Sequence, residues 1–448
     1  MTMMNRAAET AAALAVSTLV LTAPAQSIGP DVIVAELFDT AFYGESAGIY
    51  AYALGTEACN IGDHALGWYH DTPNHPVIAQ HMYRIHDGRI EQIGLSLLKH
   101  GVAVGQSNTC GGCQPFPGVG ELGAGCSYPY SASINGSQAG LGPRFEVNAS
   151  TGVFPFPFTD PANAGSSSIF KRIQVPAELL VFDETTTYLV EGQYVTPDDA
   201  QSGNNHNNAS HRLALLSPNF NLALTGQTVR EQPAIFAWAD HEPDVVINTV
   251  DVPADGRFHV AGRAVELGGG DWRYHYAIHN LSSHRSANAI IIPAQVPEVT
   301  DPDFHAPHYH SNSPVSNAPW VFTPGNASVR WEAGAYSPAT EDSANAVRFG
   351  TTYTFSFTAP APPVTTEVTV FFFRPGATDS LSVPLPTPGP WCVADLAEPF
   401  GVLNFSDVVA FLTAFGAGEP EADLAAPFGT FDFSDVTAFL TAFGAGCP

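Results

Sequence analysis

The sequence predicts a mainly β protein: a β-sandwich-like body with long ordered loops, then a small helical tandem repeat at the C-terminus. Three observations carry that expectation. Short segments rich in β-branched and aromatic residues alternate with hydroxyl residues over much of the chain. Turn chemistry separates them, as in the Pro-Ala-Asp-Gly at 253–256 and the Gly-Gly-Gly at 268–270. Long amphipathic helical patterns are scarce before residue 390, and after it one such pattern is written twice.

In chain order, the first element is a secretion signal over 1–25. Arg6 supplies its positive region, Ala11 to Leu21 its apolar core, and Ala23-Pro24-Ala25 a small-residue cleavage site. Glu9 is unusual in such a segment. No later stretch reaches transmembrane length, so an exported extracellular or cell-surface protein is expected. The formal charge of −27, from 43 acidic against 16 basic residues, opposes binding to nucleic acid or anionic lipid. Lys99 and Lys171 are the only lysines.

Export turns the six cysteines into expected disulfides. Cys392 and Cys447 bracket the tail repeats and are expected to pair. Cys59, Cys110, Cys113 and Cys126 are expected to form two more bonds, with connectivity open. The CGGC at 110–113 has redox or zinc-ligand spacing, but no βαβ pattern surrounds it and no second CxxC follows.

The body divides softly near Gln232 into a loop-rich part over 26–231 and a β-sandwich-like part over 232–376. The stretch from Gln114 to Pro161 is dense in Gly, Pro, Ser and Asn and reads as long loops, which are often functional. Another loop is DDAQSGNNHNNASHR. In YTFSFT, Tyr353, Phe355 and Phe357 alternate with Thr352, Thr354 and Ser356, which puts aromatics on one sheet face and hydroxyls on the other. EVTVFFFRPG, VVINTVDV, FHVAGRAVEL and DWRYHYAIHNL read as further strands. Residues 377–391, proline-rich, read as an extended linker to a tail over 392–448.

Sixteen histidines are the body's most suggestive feature. DFHAPHYHSN places His305, His308 and His310 close together, and WRYHYAIHN as a strand puts Arg273, His275 and His279 opposite Trp272, Tyr274, Tyr276 and Ile278. Paired strands would gather imidazoles suited to zinc, copper or iron. The spacing matches no metalloenzyme motif, however, and histidines hydrogen-bonded to loop backbone are the preferred reading over a transition-metal site. Asp198 and Asp199, or Asp240 and Glu242, offer carboxylates for glycoside chemistry. In so acidic a chain most carboxylates are solvating, and no GxSxG, P-loop or GxGxxG is present. Trp68, Tyr69, Trp238, Trp272 and Trp320 could stack on sugars, although large aromatics more often fill cores.

The tail repeats DLAEPFGVLNFSDVVAFLTAFGAG as DLAAPFGTFDFSDVTAFLTAFGAG. Each copy has the outline of a calcium-binding loop followed by a helix. Asp395 and Asp423 occupy the first position, but Ala397, Pro399, Ala425 and Pro427 stand where ligands are needed, and the closing acids Asp407 and Asp435 fall one residue late. The remaining oxygens come from Asp395, Asn404, Asp407, Asp423, Asp432 and Asp435, with help from Glu398. Calcium binding is therefore expected to be weak or absent. Pro399-Phe400 and Pro427-Phe428 would fill the ion's place with apolar bulk, and Gly401 and Gly429 would allow the turn. Val408, Phe411, Leu412 and Phe415, like Val436, Phe439, Leu440 and Phe443, form helical stripes that the two copies should bury against each other. Ser406, Asp407, Ser434 and Asp435 are available as helix caps, and Gly-Ala-Gly ends each helix.

With its ADL openings, FSDV(V/T)AFLTAF helices and terminal GAGCP, this tail resembles the GC-type dockerin-like, degenerate EF-hand module on exported proteins of planctomycetes. The resemblance covers 392–448 and implies an anchoring or sorting role, with a cohesin-like partner by analogy. The body, from about Cys59 to Gly376, resembles uncharacterised exported planctomycete proteins in NHPVIAQHMYR, LLKHG, NGSQAGLGPRFEVNASTGVFPFPF, LVEGQYVTPDDA, NLSSHRSA and NAVRFGTTYTFSF. It implies one exported β-rich unit and no mechanism. The expected function is thus a secreted or cell-surface binding or structural protein tethered by its tail, with polysaccharide the candidate ligand that the aromatic residues suggest. The alternative is an extracellular hydrolase or metal-dependent enzyme acting on polysaccharide.

Overall fold

The computed structural model describes residues 27–446 except 102–104, 160–166, 184, 297, 326, 390–391, 398–401 and 428. The expected signal segment, Cys447, and Glu398, Pro399, Phe400, Gly401 and Phe428 of the tail loops lie outside the described residues.

The body is β-rich, as its alternation predicts. In its first half one sheet runs in the order Val32–Ser46, Ile49–Asn60, Ile173–Pro176, Arg89–Leu95, Val77–His86, Thr187–Val195, Ala209–Leu216, Leu222–Val229. Register shifts between Val34 and Glu36, Leu37 and Thr40, and Phe42 and Glu45 bend the first strand. That strand thereby curls toward the last one: Leu37 N donates to Thr228 Oγ1 (2.9 Å), and Thr40 Oγ1 to the Leu222 carbonyl (2.7 Å). Val34, Leu54, Met82, Ile93, Val190 and Tyr194 fill the interior. Disulfides join Cys59 to Cys110 and Cys113 to Cys126, which resolves the open connectivity.

The second half is a sandwich of two five-stranded antiparallel sheets. One has the order Val246–Asp251, Arg257–Gly268, Asp271–Asn280, Thr351–Ala359, Thr300–His305; the other Val321–Pro324, Ser328–Glu332, Ala287–Pro293, Pro363–Phe372, Ser380–Pro388. Tyr353, Phe355 and Phe357 point into the core between them with Tyr274, Tyr276 and Trp331. The expected linker is corrected here, because Ser380–Pro388 is a strand paired with Pro363–Phe372 and sends Leu381, Val383 and Leu385 into that core. Pro384, Pro386 and Pro388 recur every second residue, so their missing N–H groups all fall on one side, which only an edge strand tolerates.

The hydroxyl face of Thr351–Ala359 is not solvated either; it packs on the first half. Thr354 Oγ1 donates to the Ile90 carbonyl (2.7 Å), and Thr352 N to Gln92 Oε1 (2.7 Å). Apolar residues on both sides, including Tyr83, Ile90, Leu189, Trp238, Ala261 and Ala277, form a continuous cluster across this junction. Gly350, at φ +64°, passes so close that a Cβ there would lie 2.8 Å from Gln193 Oε1 and 2.9 Å from His81 Cε1.

In the tail, helices Phe405–Ala417 and Phe433–Ala445 pack against each other, with Phe411 and Phe439 stacked at 4.1 Å between ring centroids. Leu412 and Leu440, expected in the buried stripe, are 57% and 56% exposed; the helices meet along Phe411, Phe415, Phe439 and Phe443 instead. The N-caps are also corrected. Asn404 and Asp432 cap the helices, and Asp407 and Asp435 complete capping boxes as the third helical residue. Cys392 is disulfide-bonded, while its expected partner Cys447 is outside the described residues.

Candidate binding cleft at the junction of the two halves

The strand Asp271–Asn280 supplies the first polar groups at the junction, since its aromatic residues are spent on the sandwich core. Arg273, His275 and His279 project from the opposite face, as their alternation predicts. His279 is wholly buried, and its Nδ1 lies 2.9 Å from Thr352 Oγ1. His275 Nδ1 lies 2.8 Å from Ser356 Oγ. Burial pushes both imidazoles down to about 3.

The other expected histidines are dispersed along the same junction. His305 Nε2 bonds to the Gln92 carbonyl (2.9 Å) and His310 Nε2 to the Leu95 carbonyl (2.7 Å), so each is committed to first-half backbone. Burial lowers His305 and takes His310 down to about 4. His308 is exposed. These five do not converge, and among the described residues no group of three or more His, Cys, Asp or Glu side chains has metal-holding geometry.

Sequence reading missed a wholly buried carboxyl at the junction, Glu191. Its Oε1 lies 2.6 Å from His81 Nδ1 and accepts from Tyr83 OH (3.3 Å), while Oε2 accepts from Ala234 N (2.6 Å). Burial raises the Glu191 carboxyl and lowers the His81 imidazole, so both favour their neutral forms. Its place in LVEGQYV, amid apolar neighbours on a strand, was the available signal.

A cleft of about 550 Å³ opens at one end of this junction, lined by Arg89, Glu242, Arg263, Arg273, His275 and Asp303 among others. The Asp87-Gly88 turn, the end of helix Ile235–His241 and the hairpin of Arg257–Gly268 with Asp271–Asn280 bring these together. Arg263 is fixed by Glu242 (2.7 Å) and Asp244 (3.0 Å), and Arg89 by Glu91 (2.5 Å) and Asp303. Burial opposes the Asp303 carboxylate, but Arg89 more than offsets this and holds it below its usual range. Arg273 donates instead to neutral groups, the Asp301 carbonyl (2.7 Å) and Thr358 Oγ1 (3.3 Å). The lining can thus present planar donors and acceptors to a polar ligand. Glu242 and Asp303, engaged by arginines, are not a free acid–base pair of the kind glycoside hydrolysis uses.

Asp198 Oδ2 accepts from Gly67 N (2.8 Å), Asp240 is exposed, and Asp199 is buried, its carboxyl pushed up to about 7 by desolvation. Trp68, Trp238 and Trp320 are core residues; Tyr69 is the exposed aromatic of that set, with Trp272 half-buried.

In the tail loops, the closing acids are occupied by the chain itself. Asp407 Oδ1 accepts from Leu396 N and Ala397 N (both 2.8 Å), and Oδ2 from Asn404 N (2.7 Å). Asp435 repeats this with Leu424 N, Ala425 N (both 2.8 Å) and Asp432 N (2.9 Å), and these amides lower its pKa. Asn404 Oδ1 and Asp432 Oδ1 accept from the amides of Ser406 (2.7 Å) and Ser434 (2.6 Å). Asp423 Oδ2 accepts from Gly429 N (2.5 Å), with Gly429 at φ +84°. Asp395 is half-buried at the matching place in the first loop.

Comparison with family models and with curated proteins returns no match. Among solved structures, an exo-chitosanase from Amycolatopsis orientalis is 11% identical over 74% of this chain, with a TM-score of 0.16. The match spans 25% of that protein. A serine-rich repeat adhesion glycoprotein from Streptococcus agalactiae is 9% identical, covering 79% of this chain and 97% of that one, with a TM-score of 0.20. Neither likeness reaches the level at which it bears on fold or function.

Proposed function

We propose that the protein is an exported, surface-associated binding or structural protein whose last residues form a dockerin-like anchoring or sorting module. The observation that carries this reading is the construction of the tail. Its two copies share one small core and leave the same apolar positions outside: Phe405 and Phe433, each 77% exposed, with Leu412 and Leu440. Exposed apolar side chains repeated at matching positions are what a docking surface requires. Two disulfides in the body fit an oxidising compartment, and among the described residues no helix is long and apolar enough to cross a membrane.

The body would supply the binding function through the junction cleft, where arginine and carboxylate side chains suit a hydroxyl-rich ligand such as polysaccharide. Cell fractionation tests the anchoring role. The full chain should stay with the envelope of the producing cell, and a chain ending at Gly389 should be released to the medium. Equal release of both would remove the tail from any anchoring role.

A further inference from the structure

The charges of the junction cleft are unevenly spent. Arg263 is held by Glu242 (2.7 Å) and Asp244 (3.0 Å), and Arg89 by Glu91 (2.5 Å) and Asp303, so these groups neutralise one another within the wall. Arg273 forms no ion pair among the described residues. Its Nη1 makes both of its hydrogen bonds, to the Asp301 carbonyl and Thr358 Oγ1. Nε and Nη2 are left without a partner, and neither is shut away from solvent, on a residue that lines the cleft. Those two atoms are the edge with which a guanidinium takes both oxygens of one carboxylate.

His275 supplies a second donor on the same strand face, about 7 Å further along at the rise of a β-strand. Ser356 is fully buried, and His275 Nδ1 is the one partner of its hydroxyl among the described residues. A buried hydroxyl gives its proton to the acceptor at hand, so Nδ1 accepts and the single proton of the neutral ring sits on Nε2. The Nε2 atoms of His259 and His279 are shut away from solvent, but that of His275 is not, and His275 lines the cleft. The two side chains therefore offer donors alone. Beside them Val265, paired with Arg273 across the hairpin, and Leu267 add apolar surface to the same wall.

We propose that Arg273 and His275 form a carboxylate subsite, so that the glycan taken by the cleft is one built of uronic acids. This rests on the polysaccharide reading of the cleft and narrows it. A uronate sets its carboxylate on the Arg273 edge and a second oxygen on His275 Nε2, with the face of the sugar ring against Val265 and Leu267. A neutral sugar offers the guanidinium only hydroxyl oxygens, and such bonds are roughly half as strong as those to a carboxylate. The net charge of −27 repels a long polyanion from a distance. That repulsion is screened beyond about 8 Å at physiological salt, whereas the close contact with Arg273 is not.

The test is calorimetric titration of the full chain at physiological salt with trigalacturonate, with its methyl ester, and with a sulfated dextran oligosaccharide. The acid should bind about ten-fold or more tightly than the ester, which has lost the charge. Arg273→Gln should remove that advantage, leave the ester's affinity unchanged and melt within a few degrees of the parent. The comparison of acid with ester in the parent decides the matter if the variant does not fold. Equal affinity for acid and ester would overturn the uronate assignment while keeping the cleft as a polysaccharide site. Acid binding undiminished by Arg273→Gln would overturn it as well, and so would sulfated dextran binding as tightly as the acid, since charge alone would then suffice. No binding of the acid would also overturn it; retardation in gels containing neutral xylan would then preserve the polysaccharide reading, and no retardation would remove that too.

Discussion

Glu191 shows what a single side chain contributes at the junction. It accepts from Tyr83 and Ala234, lies 2.6 Å from His81 Nδ1, and is wholly buried. Glu191→Ala would leave the Tyr83 hydroxyl, the Ala234 amide and the His81 imidazole without their buried partner at once, costing about 3 kcal/mol or more by urea unfolding, whereas Glu191→Gln should cost less because Oε1 still accepts. At the cleft, Arg273→Ala should weaken retardation of the protein in polysaccharide-containing gels without lowering its melting temperature by more than a few degrees; an unchanged mobility shift would exclude Arg273 from ligand contact. The histidines add a shared pH response. Burial holds His100, His259, His275 and His279 at about 3, against about 6.5 in the unfolded chain. Between those values the unfolded state binds more protons, so stability is full above pH 6.5 and falls as pH drops toward 3. Each contributes roughly 1.4 kcal/mol per pH unit inside that window. Urea midpoints at pH 7 and 5 should differ clearly; equal midpoints would mean that these imidazoles remain solvated.

Among the elements, the strand Asp271–Asn280 was legible down to its two faces, because strict alternation over ten residues has one interpretation. What covers its polar face was not legible. Periodicity reports that a strand has two chemically distinct sides, and the partner that buries the polar side, here Arg89–Leu95, is nearly two hundred residues away in sequence. Ser380–Pro388 is the opposite case. Its proline content reads as a linker, while the period of two in Pro384, Pro386 and Pro388 is the mark of an edge strand. A chain stopped at Gly376 should therefore lose roughly 5 kcal/mol relative to one ending at Gly389, from exposing the sites of Leu381, Val383 and Leu385. Comparable denaturant midpoints for the two would show that the edge strand adds little. In the tail loops, the late position of the closing acids was readable in the sequence, but their use as acceptors for three backbone amides each was not. Asp407→Ala should unfold the first loop and helix at a lower temperature, while chelation of calcium leaves the tail's melting unchanged; a chelator-induced drop would mean that the loops need the ion.

As a whole molecule, the protein joins a curled sheet and a sandwich through a junction of buried polar groups and an apolar cluster, and carries a pair of short helices in its tail. The junction could not be read from composition, since its groups come from distant strands that each look ordinary alone. The tail could, because duplication exposes both its pattern and its missing ligands. Anchoring through that tail is the central claim, and it rests on the apolar positions that both copies leave outside their core. The most direct measurement is envelope retention of a full chain carrying Phe405→Glu, Leu412→Glu, Phe433→Glu and Leu440→Glu, beside the parent. The account predicts an unchanged helical signal and melting transition together with release into the medium. Retention equal to the parent, with the tail still folded, would contradict it.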